Sequence, residues 1–507
     1  MKIVHVNNID LHGARFNGHN MQIDFNKRGI SCKQFVIEKL GNDPNTISLS
    51  RSYEEPFLRN LCMTTETDLS LRAMLYPYGW RLLNHPSFKR ADVVHYHLLH
   101  NNMISYAMFP ELSSAKPSIL TIHDPWLLTG HCIHPINCVK WERHECKDCP
   151  HLDRVFSMNE DNASYMWELK KAVFANLDID LVVASKWMYD MVRRSPITSH
   201  FKNVHLVPFG IDTSLFTTGR DKAAIRLRHG IPQENVALFF RSDPSLFKGL
   251  AYIQEMLEQM QTSVPITLLT VGQSGVVQPG RYGIIEKGWV DDEELMADLY
   301  AASDIFLMPS VAEAFGVMAI EAMATGLPVV VFEGTALPDV TFAPDCGIVV
   351  ENNCAIRFAK IVERLVEYPE ERQKRGCLAR TLAVENYDTS KHYQVMLELY
   401  KEVAGRKRKQ TGIKTTSQFE KDLAHFRHVS LLISNLSDEY KRLLLEIQRD
   451  PTSIRIGESK VGLSLIIMRQ LFRLLRRISD KFGIKESLKK TKLYRRLLIR
   501  GTIKKLK

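Results

Sequence analysis

The sequence predicts an α/β protein made of two doubly wound domains followed by a mainly α-helical, basic C-terminal extension. Short β-branched and apolar runs alternate with amphipathic segments, which is typical of a parallel sheet with helices on both faces. This alternation restarts in the second half of the chain. A chain of 507 residues is also too long for one ordinary hydrophobic core.

The first domain is expected to span residues 1–200. Its candidate strands are Lys2 to Val6, Gln34 to Ile37, Asp92 to His97, Ser118 to His123, Asp180 to Ala184 and Val204 to Val207. A helix is expected from near Gly13 to about Arg28, and a glycine there would let the backbone approach a phosphate. Gly13 and Gly18 have P-loop spacing, but His-Asn follows instead of Lys-Ser, which excludes a P-loop.

The second domain is expected to span residues 201–404. Its candidate strands are Val236 to Phe240, Ile266 to Val271, Gly283 to Ile285, Ile305 to Met308, Pro328 to Phe332 and Gly347 to Val350. No Gly-x-Gly-x-x-Gly motif follows a strand in either domain, which argues against a dinucleotide-dependent dehydrogenase.

Charge is distributed unevenly along the chain. The net charge is +10, yet residues 460–507 alone hold sixteen Lys or Arg and two acidic residues, a local balance of +14. A basic tail on a near-neutral globular region favours an anionic surface partner, a membrane or polyanion, over a nucleic-acid-binding core. With no secretory signal and no apolar run of about 18 residues, we expect a cytoplasmic protein, peripheral at the inner face of the membrane.

Two carboxylates, Glu313 and Glu321, flank or belong to a short apolar helix expected over residues 315–324. Eight residues along a helix leave two side chains roughly 80 degrees apart, so these carboxylates converge only if Glu313 lies in the preceding loop. Backbone amides around Phe315 and Gly316 would then favour a phosphate or oxyanion at the helix N-terminus. The pattern alone fits equally well a βαβ unit with one exposed and one capping glutamate.

The Glu-x7-Glu spacing, followed by a small-residue helix and Gly-x-Pro-Val-Val, resembles the donor-site signature of family 4 glycosyltransferases with the GT-B fold. The run from Val207 to Phe216 resembles the interdomain link of that family, with Phe209 where Asn is usual. The resemblance covers about four-fifths of the chain. It implies two Rossmann-like domains facing a cleft, with the nucleotide sugar on the second domain and the acceptor mainly on the first.

Two cations follow the first strand of the second domain. Arg241 ends that strand and Lys248 lies in the loop beyond it, where both would favour a diphosphate leaving group as its charge develops. Alternatively, both are solvated surface cations. The resemblance assigns them to the donor diphosphate, although Phe240 replaces the usual glycine before the arginine.

The segment from Thr121 to Trp126 places His123 at the carboxyl end of a strand, where open α/β sheets bind ligands. Without further context, His123 could equally cap a loop. With its downstream cysteines, the run resembles a Thr-x-His-Asp-x-Trp segment of family 4 enzymes of bacterial surface polysaccharide synthesis. The resemblance implies that His123 contacts the donor sugar near its anomeric carbon.

Four cysteines cluster in an expected insertion over residues 130–150, next to His131 and His134. They are Cys132, Cys138, Cys146 and Cys149. Four thiolates, or three with an imidazole, are a ligand set for a structural zinc ion, and free thiols packed in a loop are the alternative.

Together these features predict a retaining glycosyltransferase that moves a sugar from a UDP- or GDP-linked donor to a glycan or lipid-linked glycan. The resemblance implies that Glu313 and the amides of Phe315 and Gly316 orient the sugar and that Glu321 binds the ribose. Gly13 is expected to contact the nucleotide-sugar donor as well. No cofactor is expected to be required for catalysis. A sugar-nucleotide epimerase of similar fold and a non-catalytic membrane-associated scaffold are the alternatives.

The extension over residues 405–507 shows no family signature. Apolar residues at steps of three and four from Gln418 to Ile447 predict a long amphipathic helix for a partner or a dimer. Over residues 461–478, arginines and aliphatic residues fall on different faces, which predicts either a surface helix in a lipid interface or a helix packed back on the enzyme. The basic residues up to 507 favour an anionic membrane surface.

Overall fold

The structure is a computed structural model that describes residues 1–51, 55–175, 177–406 and 417–449. It divides the chain into two compact units. Among these described residues, the first unit contains residues 1–182 and 192–204 and those from Tyr400 onward, and the second contains residues 183–191 and 205–399.

Seven strands form the sheet that begins the chain. They are β1 (Lys2–Val6), β2 (Ser31–Val36), β3 (Thr46–Ser48), β4 (Val93–Tyr96), β5 (Ser118–Thr121), β6 (Asp180–Val183) and β7 (Val204–Leu206). Their order is β3-β2-β1-β4-β5-β6-β7. β1 lies parallel to both β2 and β4, and His5 of β1 is opposite His95 of β4. The order turns back at β1 and β4, as in a doubly wound fold.

Among the described residues, eight α-helices lie within the first 200 positions, and the last of them belongs mainly to the second unit. They are α1 (His19–Lys27), α2 (Glu55–Asp68), α3 (Tyr78–Asn84), α4 (Pro86–Lys89), α5 (Phe109–Ala115), α6 (Lys140–Arg143), α7 (Ala163–Phe174) and α8 (Lys186–Arg194). The predicted start of the first helix near Gly13 is wrong, because α1 begins at His19 with Gly18 as its N-cap. Local hydrogen bonds within residues 10–17 form turns before it, including Phe16 N–H to the Gly13 carbonyl at 2.9 Å.

Six strands form the second sheet. They are β8 (Val236–Ser242), β9 (Ile266–Gly272), β10 (Gly283–Glu286), β11 (Ile305–Met308), β12 (Val329–Phe332) and β13 (Ile348–Val350). The order is β10-β9-β8-β11-β12-β13, and each neighbouring pair is parallel. β8 is buried from Val236 to Phe240, as expected of a strand covered on both faces.

The helices of residues 205–405 come next. They are α9 (Lys222–His229), α10 (Leu250–Gln259), α11 (Glu293–Ala302), α12 (Val317–Ala324), α13 (Leu337–Val340), α14 (Ala355–Glu367), α15 (Pro369–Asn386) and α16 (Thr389–Gly405). Local signals set their ends: Asp221 caps α9 by accepting from Ala224 N at 3.0 Å, and left-handed Gly230 ends it.

Helix α17 (Gln418–Arg449) packs on the first unit. The Tyr165 hydroxyl donates to Asp422 at 2.9 Å, and the Trp80 indole donates to Ser430 at 3.0 Å. Its buried apolar residues are Leu423, Phe426, Val429 and Ile433. This part of the apolar stripe predicted for a partner is therefore covered within the chain itself.

The segments predicted for a lipid interface, residues 461–478 and the basic tail 461–507, lie outside the described residues. Among the helices that the structure describes, none combines the length and the apolar character needed to cross a bilayer.

Candidate active site

The second sheet brings three of the predicted polar side chains to one edge. Arg241 lies at the end of β8, Lys248 lies just before α10, and Glu313 lies in the loop after β11. β8 and β11 are neighbours, and strand order reverses between them. Open α/β sheets bind ligands at the carboxyl ends of strands at such a switch point.

Gly249 allows the two loops at this edge to approach each other. Its φ is +75°, and a Cβ at this position would lie 1.9 Å from the Pro309 carbonyl oxygen. Val311 N–H also donates to the Phe247 carbonyl at 2.9 Å, which ties the β11 loop to the β8 loop. A side chain at position 249 would therefore push the loop that carries Lys248 away from the loop that carries Glu313.

Lys248 and Glu313 form an ion pair. Lys248 Nζ lies 2.8 Å from Glu313 Oε2, and the two side chains are 26% and 17% exposed. The amide of Ala336 donates to the Glu313 carbonyl at 3.0 Å, which fixes the backbone at this carboxylate. Glu313 thus lies in the loop before α12, as its convergence with a ligand site requires.

Arg241 has a different partner, Asp243, which the sequence reasoning missed. Arg241 Nη2 lies 2.8 Å from Asp243 Oδ2. Although burial raises the pKa of Asp243, the Ser245 amide and the Arg241 and Lys248 charges lower it below the usual value. Asp243 is two positions after Arg241, just beyond the end of β8, so the short separation in sequence was the available signal.

Glu321 lies on α12 and is 1% exposed. Its Oε2 accepts a hydrogen bond from the Tyr300 hydroxyl at 2.9 Å. Tyr300 is fully buried on α11, and nothing in the local pattern around Glu321 pointed to it. Glu321 is therefore a fully buried carboxylate on α12, whereas Lys248 and Glu313 are only half-buried.

Phe315 and Gly316 shape the turn into α12. The helix begins at Val317, two residues later than predicted, because Gly316 takes a left-handed φ of +98° as its N-cap. A Cβ at Gly316 would lie 2.4 Å from Leu337 Cδ2, so only glycine fits without displacement of that side chain. The Phe315 ring is buried against Phe209 and Tyr387 at ring-centroid distances of 5.1 and 5.8 Å, which indicates a packing role for the side chain.

In the first unit, His123 follows β5 and ends a row of three histidines. His123 Nε2 lies 3.1 Å from His97 Nδ1, and His97 Nε2 lies 3.1 Å from His5 Nδ1. Burial lowers the pKa of His123 to about 4 and that of His5 to about 3. Both are therefore neutral imidazoles at pH 7, and the donor in each pair depends on the tautomer of its neighbour.

His5, His95 and His97 also lie close enough together to share a metal ion. However, both ring nitrogens of His95 already have partners, the Tyr400 hydroxyl and the Thr121 hydroxyl, each at 2.7 Å. Gly18, at φ +90°, lies against this network, since a Cβ there would be 2.4 Å from His5 Nδ1. Gly18 is thus the glycine that packs on the histidines.

Asp124, next to His123, lies 3.3 Å from His100 Nε2 and also caps the following turn by accepting from Trp126 N at 2.9 Å. Burial raises the pKa of Asp124, but His100 and the Trp126 amide together hold it below the usual value. The four cysteines of the predicted insertion, Cys132, Cys138, Cys146 and Cys149, line one pocket after this turn.

Two parallel Rossmann-like sheets of this order define the class of the protein, the GT-B fold. The structure of HepE from Anabaena in complex with UDP and glucose shares the fold, with a TM-score of 0.55 and 14% identity over 79% of this chain and 100% of that chain. Residues 235–368 match the family model for glycosyl transferases group 1.

Sequence relatives agree with this family match. A D-inositol 3-phosphate glycosyltransferase of Segniliparus rotundus is 31% identical over 188 residues, which is 34% of this chain and 42% of the relative. An MMP alpha-(1->4)-mannosyltransferase of Mycolicibacterium hassiacum is 26% identical over 305 residues, 58% of this chain and 66% of the relative. The chain thus spans about half the length of the curated relatives it matches.

Proposed function

We propose that this protein is a retaining glycosyltransferase that uses a UDP- or GDP-linked sugar as donor. The observation that carries the proposal is the Lys248–Glu313 ion pair at the switch point of the second sheet, inside the region matched by the glycosyl transferases group 1 model. A cation and a carboxylate on adjacent loops suit a substrate with a diphosphate next to a polyhydroxylated ring.

Each polar residue of the second unit receives a role in this proposal. Lys248 and Arg241 bind the diphosphate and stabilise the charge that develops on it as the glycosidic bond breaks. Glu321, an acceptor-only anion held by Tyr300, binds the ribose hydroxyls. Glu313 and the amides that follow it orient the sugar. No divalent metal is assigned to leaving-group activation, since two protein cations serve that purpose.

Glu313 is proposed as a positioning carboxylate that acts on the sugar rather than as a nucleophile. In the absence of donor its carboxylate pairs with the Lys248 ammonium at 2.8 Å, and when the donor diphosphate takes this ammonium the carboxylate can accept hydrogen bonds from the sugar hydroxyls. Retention would then arise by attack on the face that the diphosphate leaves, with a donor phosphate oxygen taking the proton of the acceptor hydroxyl.

His123 of the first unit and the turn around Gly13 are proposed to contribute to catalysis and donor binding, respectively. The lowered pKa of His123 supports a neutral imidazole that exchanges hydrogen bonds with sugar hydroxyls, not a general acid. Variants His123→Ala and Gly13→Ala test the two roles through kcat and donor KM.

The test of the main proposal is incubation of the protein with a panel of UDP- and GDP-sugars, with NMR detection of hydrolysis, transfer and the anomer formed. The expected result is turnover of one donor with retained configuration. Glu313→Ala should lose at least roughly 100-fold in rate, whereas the exposed Glu333→Ala should not.

Three outcomes would contradict the proposal. The wild type could be inactive with every donor, Glu313→Ala could be as active as wild type, or an epimerised sugar nucleotide could accumulate without transfer. The last outcome would identify the protein as a sugar-nucleotide epimerase instead.

For the acceptor we propose a glycan or lipid-linked glycan handled at the cytoplasmic side of a membrane, with the basic residues 461–507 on the anionic surface. The charge balance of +14 over residues 460–507 supports this partner. Flotation with anionic and neutral liposomes should show binding of the full chain to anionic vesicles and its loss on truncation after Ile454. Equal binding by both forms would remove the membrane from the proposal.

A further inference from the structure

The segment over residues 129–151 gathers six potential metal donors in one pocket of the first unit. All four of its cysteines line the pocket together with His131 and His151, and His131 is the imidazole that lies against cysteine sulfur atoms. The thiols are free, Cys132 and Cys146 are buried, and Cys138 and Cys149 are half-buried. None of these side chains has a part in the proposed sugar transfer, so the pocket calls for a separate explanation.

His131 is held in the manner of a metal-ligating histidine. Its Nδ1 lies 3.3 Å from the Phe156 carbonyl oxygen, which can only accept, so the proton is assigned to Nδ1. Its Nε2 lone pair then faces Cys149 Sγ at 3.3 Å and Cys132 Sγ at 3.7 Å. Metal-bound histidines usually donate their second ring N–H to a carbonyl or carboxylate in the same way.

The sulfur of Cys146 accepts a hydrogen bond from a backbone amide, as the sulfur of a metal-bound thiolate often does. Gly130 N–H donates to Cys146 Sγ at 3.1 Å. Gly130 itself lies so close to Ala163 that a Cβ there would be 2.4 Å from the Ala163 carbonyl oxygen. The amide that faces Cys146 is therefore fixed in place by packing.

The backbone of this segment is unusually strained. Four residues other than glycine have left-handed φ values within thirteen positions: Ile136 at +53°, Glu145 at +46°, Cys146 at +57° and Asp148 at +49°. Such conformations persist only where surrounding interactions over-determine them. A bound ion that fixes the cysteines from within the loop is an interaction of that kind.

We propose that this pocket binds one structural zinc ion through Cys132, Cys146 and Cys149 and a fourth donor, which is either Cys138 or His131. A tetrahedral site of four thiolates, or of three thiolates and an imidazole, is the usual structural zinc site. A disulfide would use only two of the thiols, and would leave unexplained the orientation of His131 and the amide bond to Cys146.

The ion would stabilise the segment that directly follows His123. Lys170 Nζ already donates to the carbonyls of Trp126 and Thr129 at 2.6 and 2.8 Å. Zinc in the pocket and Lys170 would thus both hold the turn after β5. We therefore assign the ion to loop structure and not to the chemical step.

The test uses the full chain, purified without a metal-affinity tag, and measures zinc by mass spectrometry. About one zinc ion per chain is expected. Cys132→Ser and Cys149→Ser should lower the zinc content at least roughly tenfold. The matched controls Cys354→Ser and Cys377→Ser, outside the pocket, should keep it.

Because a ligand variant can fail to fold, the wild type provides a second measurement. Chelation should lower Tm, zinc should restore it, and cobalt should produce the visible bands and the thiolate charge-transfer band of a tetrahedral site. His131→Gln and Cys138→Ser then identify the fourth ligand, since only one of them should lose the metal.

Three results would overturn the proposal. The first is wild-type protein that contains no zinc and whose Tm and thiol accessibility do not change when zinc is added. The second is a disulfide among the four cysteines in protein purified from its native host. The third is an equal zinc content in the pocket variants and the controls. These readouts do not depend on sugar transfer, so they stand even if the proposed function fails.

Discussion

Lys248 Nζ lies 2.8 Å from Glu313 Oε2, so the cation assigned to the diphosphate and the carboxylate assigned to the sugar neutralise each other in the absence of substrate. A donor that pairs with the ammonium has to compete with this carboxylate. Donor binding therefore changes the partners of both residues together.

The first prediction concerns nucleotide affinity. Lys248→Met should weaken binding of the correct nucleoside diphosphate by roughly 10- to 100-fold, because a charged hydrogen bond contributes about 1.5–3 kcal/mol. Glu313→Gln should bind the same diphosphate as tightly as wild type or more tightly, because Lys248 no longer has a competing anion, although transfer is lost. Isothermal titration calorimetry measures both, with exposed Lys360→Met and Glu333→Gln as matched controls. Much weaker binding by Glu313→Gln would show that the carboxylate assists the diphosphate rather than competing for its cation.

The second prediction concerns the ribose. If Glu321 binds the ribose hydroxyls, wild-type protein should prefer the ribonucleotide over its 2′,3′-dideoxy analogue, and Glu321→Ala should bind both alike. Tyr300→Phe should lower the free energy of unfolding by about 1–3 kcal/mol, since it removes a donor from a buried carboxylate. A preference that survives in Glu321→Ala would assign the ribose to another residue.

The third prediction concerns Gly249. Gly249→Ala should destabilise the protein and weaken nucleotide binding, because the new Cβ would meet the Pro309 carbonyl and move the loop that carries Lys248. Gly230→Ala is the matched control, since Gly230 has a similar φ of +73° but no atom within 4 Å of its missing Cβ. The control should lose about 1 kcal/mol from the left-handed backbone alone. Equal losses of stability and of affinity in both variants would mean that the contact with Pro309 is unimportant.

The fourth prediction concerns acid. Burial lowers the pKa of His5 to about 3 and those of His123 and His392 to about 4. Below about pH 6.5, these histidines become protonated in the unfolded chain but stay neutral in the folded chain. The free energy of unfolding should therefore fall as the pH falls from about 6.5 to 4. Urea denaturation at several pH values in this range measures the slope of the free energy of unfolding against pH. In His392→Gln this slope should correspond to about one proton fewer than in the control His12→Gln, whose position is exposed. A stability that does not change between pH 7 and 5 would contradict the neutral state of these histidines.

Most strands were predictable because each is a short apolar run with turn residues at its ends. The strand that was missed, β3, has three residues, of which only Thr46 is buried, and so it carries almost no apolar signal. The first helix was predicted to begin too early because two glycines precede it. Gly13 and Gly18 both have positive φ, but only Gly18 begins the helix, and local composition does not separate them.

By itself, the sequence determined the two doubly wound domains, the Glu313 to Glu321 spacing, the basic end of the chain and the cysteine cluster, since each is a pattern within a short stretch. Only the tertiary structure decided which residues meet. Lys248 and Glu313 are 65 residues apart and pair because β8 and β11 are neighbours, while Glu321 meets Tyr300 through the packing of α11 and α12. Likewise, His5, His97 and His123 align because β1, β4 and β5 are adjacent. Strand order and helix packing are properties of the whole core, and no local run of residues contains them.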